Sequence, residues 1–160
     1  MKSKISKMGI SLFAAIAIFV NVMAGTGPRE LSKENEGNKR ATKNFHKTYP
    51  AVSNERWYQA NDGGWLATFE DGQEKTVVAY ARNGVLNHTL HYYDEAKMPT
   101  NVRSIAKSSF FDYKINRVVE VVIPQPGIKE VFLVYMESGN SLKLLTISND
   151  EIVEEKNFVK

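Results

Sequence analysis

Three histidines are the first residues to consider, because an imidazole can bind a metal ion or transfer a proton. His88 and His91 are three residues apart on a predicted strand, and His46 lies on a predicted helix. Successive side chains of a strand point to opposite faces, so His88 and His91 cannot bind one metal ion in regular geometry. The chain contains no cysteine, which excludes disulfides, thiolate metal sites and a cysteine nucleophile. We therefore expect no metal site.

Carboxylates are the second candidate, because a glycosidase needs only two of them, about 5–9 Å apart. Most of the acidic residues considered lie at predicted turns or are spread along predicted strands. They are Asp62, Glu70, Asp71, Glu74, Asp94, Glu120, Glu130 and Glu137. The sequence places no two of them across a cleft, and it contains no HExxH, GxSxG, phosphate-binding glycine loop or dinucleotide fingerprint. We expect no catalytic residue and no cofactor, with a carboxylate-based hydrolase as the less favoured alternative.

Aromatic side chains are concentrated between residues 57 and 93 and suggest binding rather than catalysis. They are Trp57, Tyr58, Trp65, Phe69, Tyr80, Tyr92 and Tyr93. In the adjacent pairs Trp57/Tyr58 and Tyr92/Tyr93, strand alternation puts one ring of each pair on the opposite face. Tyrosine and tryptophan supply much of the binding energy of protein interfaces. The elements that position these rings are therefore the next question.

The N-terminal residues have the form of a secretory signal peptide, 1–24. Three lysines within the first seven residues precede an apolar stretch, Ile10–Val20, and Val22 and Ala24 place small residues at positions −3 and −1 of a cleavage site. The stretch is shorter than the roughly 20 residues that a membrane-spanning helix needs. We expect cleavage after Ala24, a periplasmic or secreted protein and no stable membrane insertion afterwards; a retained interfacial helix is the alternative.

The charge of the mature chain follows from this cleavage. The full sequence has 21 basic and 18 acidic residues, and 1–24 contains three of the basic ones, so 21 − 3 = 18 remain against 18. A net charge of zero gives no support to a nucleic-acid partner. Residues 25–40 are polar and are predicted to form a flexible leader. Residues 41–160 are long enough for one domain with its own core.

The first part of this domain has the pattern of a helix followed by an antiparallel meander. Ala41, Phe45 and Tyr49 form a helical stripe that Pro50 ends. Four strand-like runs follow, separated by turn residues such as Asp71-Gly72 and Asn83-Gly84, which suit tight hairpins. These runs are Ser53–Ala60, Trp65–Glu70, Lys75–Ala81 and Val85–Tyr93.

The same order of elements then recurs. Pro99 begins a helix with Val102, Ile105 and Ala106 on one side. Four further runs follow, at Lys114–Ile123, Ile128–Glu137, Ser141–Ser148 and Glu151–Val159. We predict an α+β fold, a tandem repeat of a helix plus a four-stranded antiparallel meander with units of about 41–94 and 98–160. The two helices would pack on one face of one sheet, or of two sheets that continue into each other.

Several local motifs together carry a resemblance to a known family. They are Phe45…Tyr49-Pro50, Trp57, Gly64-Trp65-Leu66-Ala67-Thr68-Phe69, Asn83-Gly84, Met98-Pro99, Tyr113-Lys114-Ile115 and Asn149-Asp150. From about Arg40 to the C-terminus the chain resembles the β-lactamase-inhibitor-like, PepSY-like family of exported bacterial proteins, known mostly from Bacteroidetes. In that family a Leu usually stands where Met98 is found, and Asp-Gly where Asn149-Asp150 is found. The resemblance implies the repeated α+β fold, and its motifs mark turns and element ends, not catalytic residues.

The predicted function is binding through the sheet face opposite the helices. Trp65, Ala67 and Phe69 share one side of their strand, and we predict that Trp57, Trp65 and Phe69 pack against Phe45, Tyr49 and Ile105. The other side would then form a candidate protein-binding face: Tyr58, Leu66, Thr68, Val77, Ala79, His91 and Tyr93. One inserted residue in the fourth strand would put His88 and Tyr92 there instead. We expect an exported, non-enzymatic module for a protein or peptide of the cell envelope, an inhibitor being one form; an envelope-structural protein is the alternative.

Overall fold

The computed structural model describes the backbone of residues 29–30 and residues 38–72, 74–125 and 130–160 in full. The predicted signal peptide lies outside the described residues. These residues contain two α-helices and nine strands, with a 3₁₀ turn at Glu95–Lys97. The helices are α1 (Lys39–Thr48) and α2 (Thr100–Ser109). The strands are β1 (Arg29–Glu30), β2 (Arg56–Gln59), β3 (Trp65–Asp71), β4 (Glu74–Tyr80), β5 (Leu86–Tyr93), β6 (Lys114–Val122), β7 (Val131–Ser138), β8 (Ser141–Ser148) and β9 (Glu151–Val159).

All nine strands belong to a single antiparallel sheet whose order is the order of the chain, β1 to β9. The α+β class and the antiparallel sheet agree with the sequence analysis, and the sheet is continuous across the two halves. The tandem repeat stays a prediction. Within the predicted leader, Arg29 and Glu30 pair with Gln59 and Tyr58 of β2, and α1 begins at Lys39, so two parts of 25–40 belong to regular structure.

The short connections between strands follow from their turn residues. Asn149 and Asp150 both adopt positive φ, 55° and 61°, between β8 and β9. Two such residues form the two-residue hairpin turn whose twist matches that of the flanking strands, and Asn and Asp tolerate this conformation better than other non-glycine residues. The hairpin predicted at this dipeptide is therefore present.

Helix α1 is attached to the turn between β4 and β5. The side chain of Asn38 caps the helix by accepting from the Arg40 backbone N–H at 2.9 Å, and its amide nitrogen donates to the Arg82 carbonyl oxygen at 2.8 Å. Further along the helix, Asn44 donates to the Gly84 carbonyl oxygen at 3.0 Å. Gly84 has φ +76°, and a Cβ there would lie 2.8 Å from the Ala41 nitrogen. Only glycine allows this close approach of helix and turn.

Both helices pack on the same side of the sheet, over different strands. Phe45 of α1 meets Trp57 and Phe69 with ring centroids 5.7 Å apart in each case, and Tyr49 lies 5.0 Å from Phe69. These predicted contacts are confirmed. Trp65 is half-buried at the margin of the α1 cluster.

Ile105 does not join these residues, and that part of the prediction is wrong. It packs in a second cluster, where α2 covers Val118, Val134 and Leu145 of the C-terminal strands. The physical reason is the width of the sheet. Strands are about 4.8 Å apart, so one helix can cover only a few of them, and each half needs its own.

Replacing Phe69 with alanine tests the α1 cluster. The side chain is 9% exposed and contacts the rings of Phe45 in α1 and of Tyr49 at its C-terminal end, so Phe69→Ala should lower the free energy of unfolding by about 3–5 kcal/mol. Phe111→Ala is the matched control, because Phe111 is 83% exposed and should change stability little. Urea unfolding of both variants measures this; equal midpoints would show that the cluster does not stabilise the fold.

Two glycine substitutions test the attachment of α1. Gly72 also has positive φ, +62°, but no atom lies within 4 Å of a Cβ built there. Gly72→Ala should therefore lower stability only because alanine disfavours the left-handed backbone conformation, by about 1–2 kcal/mol. Gly84→Ala adds the collision with α1 and should cost about 1–3 kcal/mol more. Thermal unfolding that ranks the two variants equally would contradict the close approach.

Candidate functional site

Five of the seven residues predicted for the binding face lie together on the sheet side opposite the helices. Tyr58 pairs with Leu66, Leu66 with Ala79, and Thr68 with Val77. Directly paired residues of an antiparallel sheet point to the same side. We call this side the open face, defined as the side of the sheet that α1 and α2 do not cover.

His91 and Tyr93 lie on the helix side, which corrects their predicted placement. The register explains why: Ala79 pairs with His88, but the next residue of β4, Tyr80, pairs with Leu86. Asn87 is thus an extra residue in β5, and such a bulge reverses the sides of all that follow.

The bulge puts His88, Leu90 and Tyr92 on the open face instead. For His88 and Tyr92 this is the alternative that the sequence left available. Tyr93 packs in the α2 cluster with 9% exposure.

The centre of the open face is apolar and has the burial of a protein core. Seven residues of β4–β8 are 1–7% exposed: Val77, Leu90, Val119, Val121, Val131, Leu133 and Leu144. Half-buried Leu66, Tyr92, Ile123 and Tyr135 pack around them. An antiparallel sheet commonly turns one polar side toward water, so an apolar centre without a described helix over it is unusual.

Sequence reasoning found only the N-terminal part of this face. The residues that β6–β8 contribute to this face were not predicted, although Val119, Val121 and Ile123 occupy every second position of one strand-like run. The intervening residues Val118 and Val122 are also apolar. A run that is apolar on both sides gives no sign of which side a residue faces.

Two tyrosines and an arginine stand at one end of the apolar centre. Arg117 pairs with Tyr135, and Tyr92 pairs with Val119, two residues from Arg117. Burial raises the pKa of Tyr92, with Tyr135 adding to the rise and the positive charge of Arg117 opposing it. Burial likewise raises the pKa of Tyr135, again opposed by Arg117. Both phenols therefore remain protonated hydrogen-bond donors at neutral pH.

A polar cluster occupies the helix side at β4–β6. The Thr76 hydroxyl and the His91 Nδ1 are 3.2 Å apart, and the Tyr93 hydroxyl donates to the Glu120 Oε2 at 3.3 Å. Burial raises the pKa of Glu120, and His91 is the strongest opposing influence. A hydroxyl, an imidazole and a carboxylate are residue types that hydrolases use, but Thr76 is only 5% exposed. The arrangement therefore satisfies buried polar groups and offers no accessible nucleophile.

His88 and His91 face opposite sides of the sheet, as their spacing predicted. Within residues 38–72, 74–125 and 130–160, no three His, Asp or Glu side chains come together as a metal site would require. Within the same ranges, no helix has the length and apolar character needed to cross a membrane.

No protein-family profile and no curated protein matches the sequence. Solved structures do match the fold. A BLIP-like protein from Bacteroides fragilis has a TM-score of 0.65 and 17% identity, covering 88% of this chain and 93% of the other. A DUF2874 family protein from Bacteroides ovatus has a TM-score of 0.66 and 15% identity, covering 76% and 87%. A proposed periplasmic protein from Bacteroides eggerthii has a TM-score of 0.66 and 14% identity, covering 77% and 90%.

These similarities concern the fold, since identities of 14–17% extend no further. At that level they confirm the resemblance to a β-lactamase-inhibitor-like architecture of Bacteroidetes proteins.

Replacing Glu120 with glutamine should change how stability depends on pH. The raised pKa of Glu120 means that the folded chain binds this proton more tightly than the unfolded chain does. The resulting stabilisation is present below the ordinary value of 4.5 and is lost as pH rises through the folded-state pKa. Glutamine is uncharged at every pH and can still accept from Tyr93. Relative to wild type, Glu120→Gln should melt at the same temperature near pH 4 and higher at pH 7.

Glu137→Gln is the control with the opposite sign. Hydrogen bonds from Lys160 and Asn116 lower the pKa of the half-buried Glu137 carboxyl. The stabilisation that results is present above pH 4.5 and is lost as pH falls through the folded-state pKa. This variant should have a lower melting temperature than wild type at pH 7, and the difference in melting temperature should become smaller as the pH falls. Calorimetry between pH 4 and pH 8 measures both, and shifts of the same sign would contradict the burial of Glu120.

Proposed function

We propose that this protein is an exported, non-enzymatic binding module that recognises a protein or peptide of the cell envelope through its open face. The observation that carries the proposal is the apolar centre of that face. Val77, Leu90 and Leu133 are 3–7% exposed on a side that neither described helix covers. The side chains that a partner would contact are the half-buried residues around this centre, Leu66, Tyr92, Ile123 and Tyr135, and tyrosines are common binding residues of protein interfaces.

The composition of the face also supports recognition of a protein. Charged residues are absent from its centre, and tyrosines stand at its margin, with Tyr58 on β2 and Tyr92 and Tyr135 near the other end. Interface centres are depleted in charge and enriched in tyrosine. Of the seven predicted residues, Tyr58, Leu66, Thr68, Val77 and Ala79 remain in the proposed face, and His88, Leu90 and Tyr92 take the places of His91 and Tyr93.

The predicted signal peptide supports export, with the mature chain beginning at Gly25. Inhibition of an envelope enzyme is one form that such binding could take. The two alternative functions require different features of the structure. An envelope-structural protein would bind nothing tightly through the open face, and a carboxylate-based hydrolase would need an accessible pair of acids. Glu120, the described carboxyl with a raised pKa, lies on the helix side and accepts from Tyr93, which favours binding over hydrolysis.

Affinity capture with matched variants tests the proposal. The exported form, Tyr58→Ala with Tyr92→Ala, and Phe111→Ala are immobilised separately and exposed to the envelope fraction of the native organism. Loss of interface tyrosines commonly costs about 2 kcal/mol or more. The double variant should therefore retain at least tenfold less of each partner, while Phe111→Ala, with an exposed ring in the loop between α2 and β6, should retain as much as wild type.

Thermal unfolding is measured alongside, and both variants should fold, since these rings are half-buried or exposed. If the double variant captures the same proteins at the same yield, the open face is not the binding site. The envelope-structural alternative is then preferred.

A further inference from the structure

The outer side of helix α1 carries a row of cations. Lys39, Lys43 and Lys47 are four residues apart and therefore lie one above another on one side of the helix. That side is opposite Phe45, which is buried against the sheet. The three lysines are exposed, as is Arg40, and α1 contains no acidic residue. We call these four cations the basic stripe.

The basic stripe is not neutralised by the described residues. No ion pair and no side-chain hydrogen bond between them involves any of its four side chains. The cations of α2 differ, because Arg103 binds the Glu95 carboxylate at 2.8 Å and Lys107 donates to the Tyr113 carbonyl oxygen. The basic stripe thus makes no polar contact that holds the described fold together.

Local electrostatics disfavour this arrangement, so the stability of the helix does not explain it. The N-terminal end of a helix is the positive end of its dipole and prefers acidic side chains, yet α1 begins with Lys39 and Arg40. Lysines four residues apart also repel each other. A local rule that is broken without internal compensation is typical of a functional surface.

Neighbouring acids do not cancel the charge of the basic stripe. The Glu55 Oε1 is 3.4 Å from the His46 Nε2, and the Asp62 Oδ1 accepts from the Gly64 N–H at 2.8 Å. The sequence just before the helix, 31–37, has one lysine and two glutamates, so 31–48 contain five basic and two acidic residues, 5 − 2 = +3. This region is cationic even with those glutamates counted, although the net charge of the mature chain is zero.

We propose that the basic stripe binds an anionic phospholipid surface and holds the protein at a membrane of the cell envelope without inserting into it. A cluster of about four Lys and Arg on an amphipathic helix is typical of binding to anionic lipid. Lys39 to Lys47 span about 12 Å, at about 1.5 Å per residue, so each side chain can reach a separate headgroup. The predicted export favours lipid over nucleic acid as the anionic partner. The open face lies on the other side of the sheet and stays free for its own partner.

Sedimentation with vesicles tests the preference for anionic lipid. The exported form is mixed with vesicles of phosphatidylcholine, either alone or with about one third phosphatidylglycerol. Each Lys or Arg near an anionic surface contributes about a fivefold factor to partitioning, so the anionic vesicles should bind the protein at least about tenfold more strongly at low salt. The difference should narrow as the salt concentration rises, because salt screens the charges.

Two triple variants of α1 show whether the basic stripe causes the preference. Replacing Lys39, Lys43 and Lys47 with glutamine should abolish it, and replacing the same three with arginine should preserve it. Lys, Gln and Arg are similar helix formers and the side chains are exposed, so both variants should melt no lower than wild type.

The matched control removes the same charge from the open side of the sheet. Lys75→Gln, Lys114→Gln and Arg117→Gln together change three exposed cations of β4 and β6. Unlike the basic stripe, two of them have acids in register, since Lys75 pairs with Glu70 and Lys114 with Glu137. This variant should keep the preference for anionic vesicles.

Four results would overturn the inference. Equal binding to the two kinds of vesicle would show that lipid charge is not recognised. A preference that persists in the glutamine variant of α1, or is lost in the control, would place the contact elsewhere. Release by inorganic phosphate, but not by sodium chloride at equal ionic strength, would make free phosphate the ligand. Tighter binding to a DNA oligonucleotide than to the anionic vesicles would make nucleic acid the partner. None of these results depends on Tyr58 or Tyr92, so the capture experiment decides the proposed function separately.

Discussion

The extra residue of β5, Asn87, determines which side of the sheet the following residues of this strand face. Side chains alternate along a strand, so a bulge reverses every residue beyond it. With Asn87 unpaired, Leu90 and Tyr92 reach the open face, while His91 and Tyr93 reach the helix side. In an unbulged strand His91 would stand within the apolar centre, and the leucine would face the polar cluster around Glu120. The residues that β5 contributes to the centre of the open face are apolar because of this one irregularity.

The same turn that leads into the bulge also positions α1. Asn38 and Asn44 donate to carbonyl oxygens of the turn between β4 and β5, and Gly84 lets the helix approach it closely. Helix placement and strand register are thus set within a few residues of each other. A helix held by this turn covers Phe69 and Trp57 on one side, and the open face remains without a described helix.

Much of this architecture could be predicted, because it depends on local rules. The alternation of Trp65, Ala67 and Phe69 indicated their side correctly, and Asn149-Asp150 indicated its hairpin. The sequence could name the bulge only as an alternative, since no glycine or proline directly precedes Asn87. What stabilises the bulge is the packing of β5 side chains on both faces of the sheet. The cluster in which Ile105 packs could not be predicted, because it depends on how many strands the sheet has and which of them α2 covers. The C-terminal share of the open face was hidden because β6 is apolar on both sides.

The strictly sequential order of the strands has a consequence for folding kinetics. Apart from the connections that carry α1 and α2 and the connection 123–130 between β6 and β7, each strand pairs with the next one along the chain through a short turn. Low average sequence separation between contacts reduces the entropy lost on loop closure and favours fast folding. The pairing of β5 with β6 must instead close the longer loop 94–113. Hairpins within each half can therefore form early, and the step that joins the halves is the one with the larger entropic barrier.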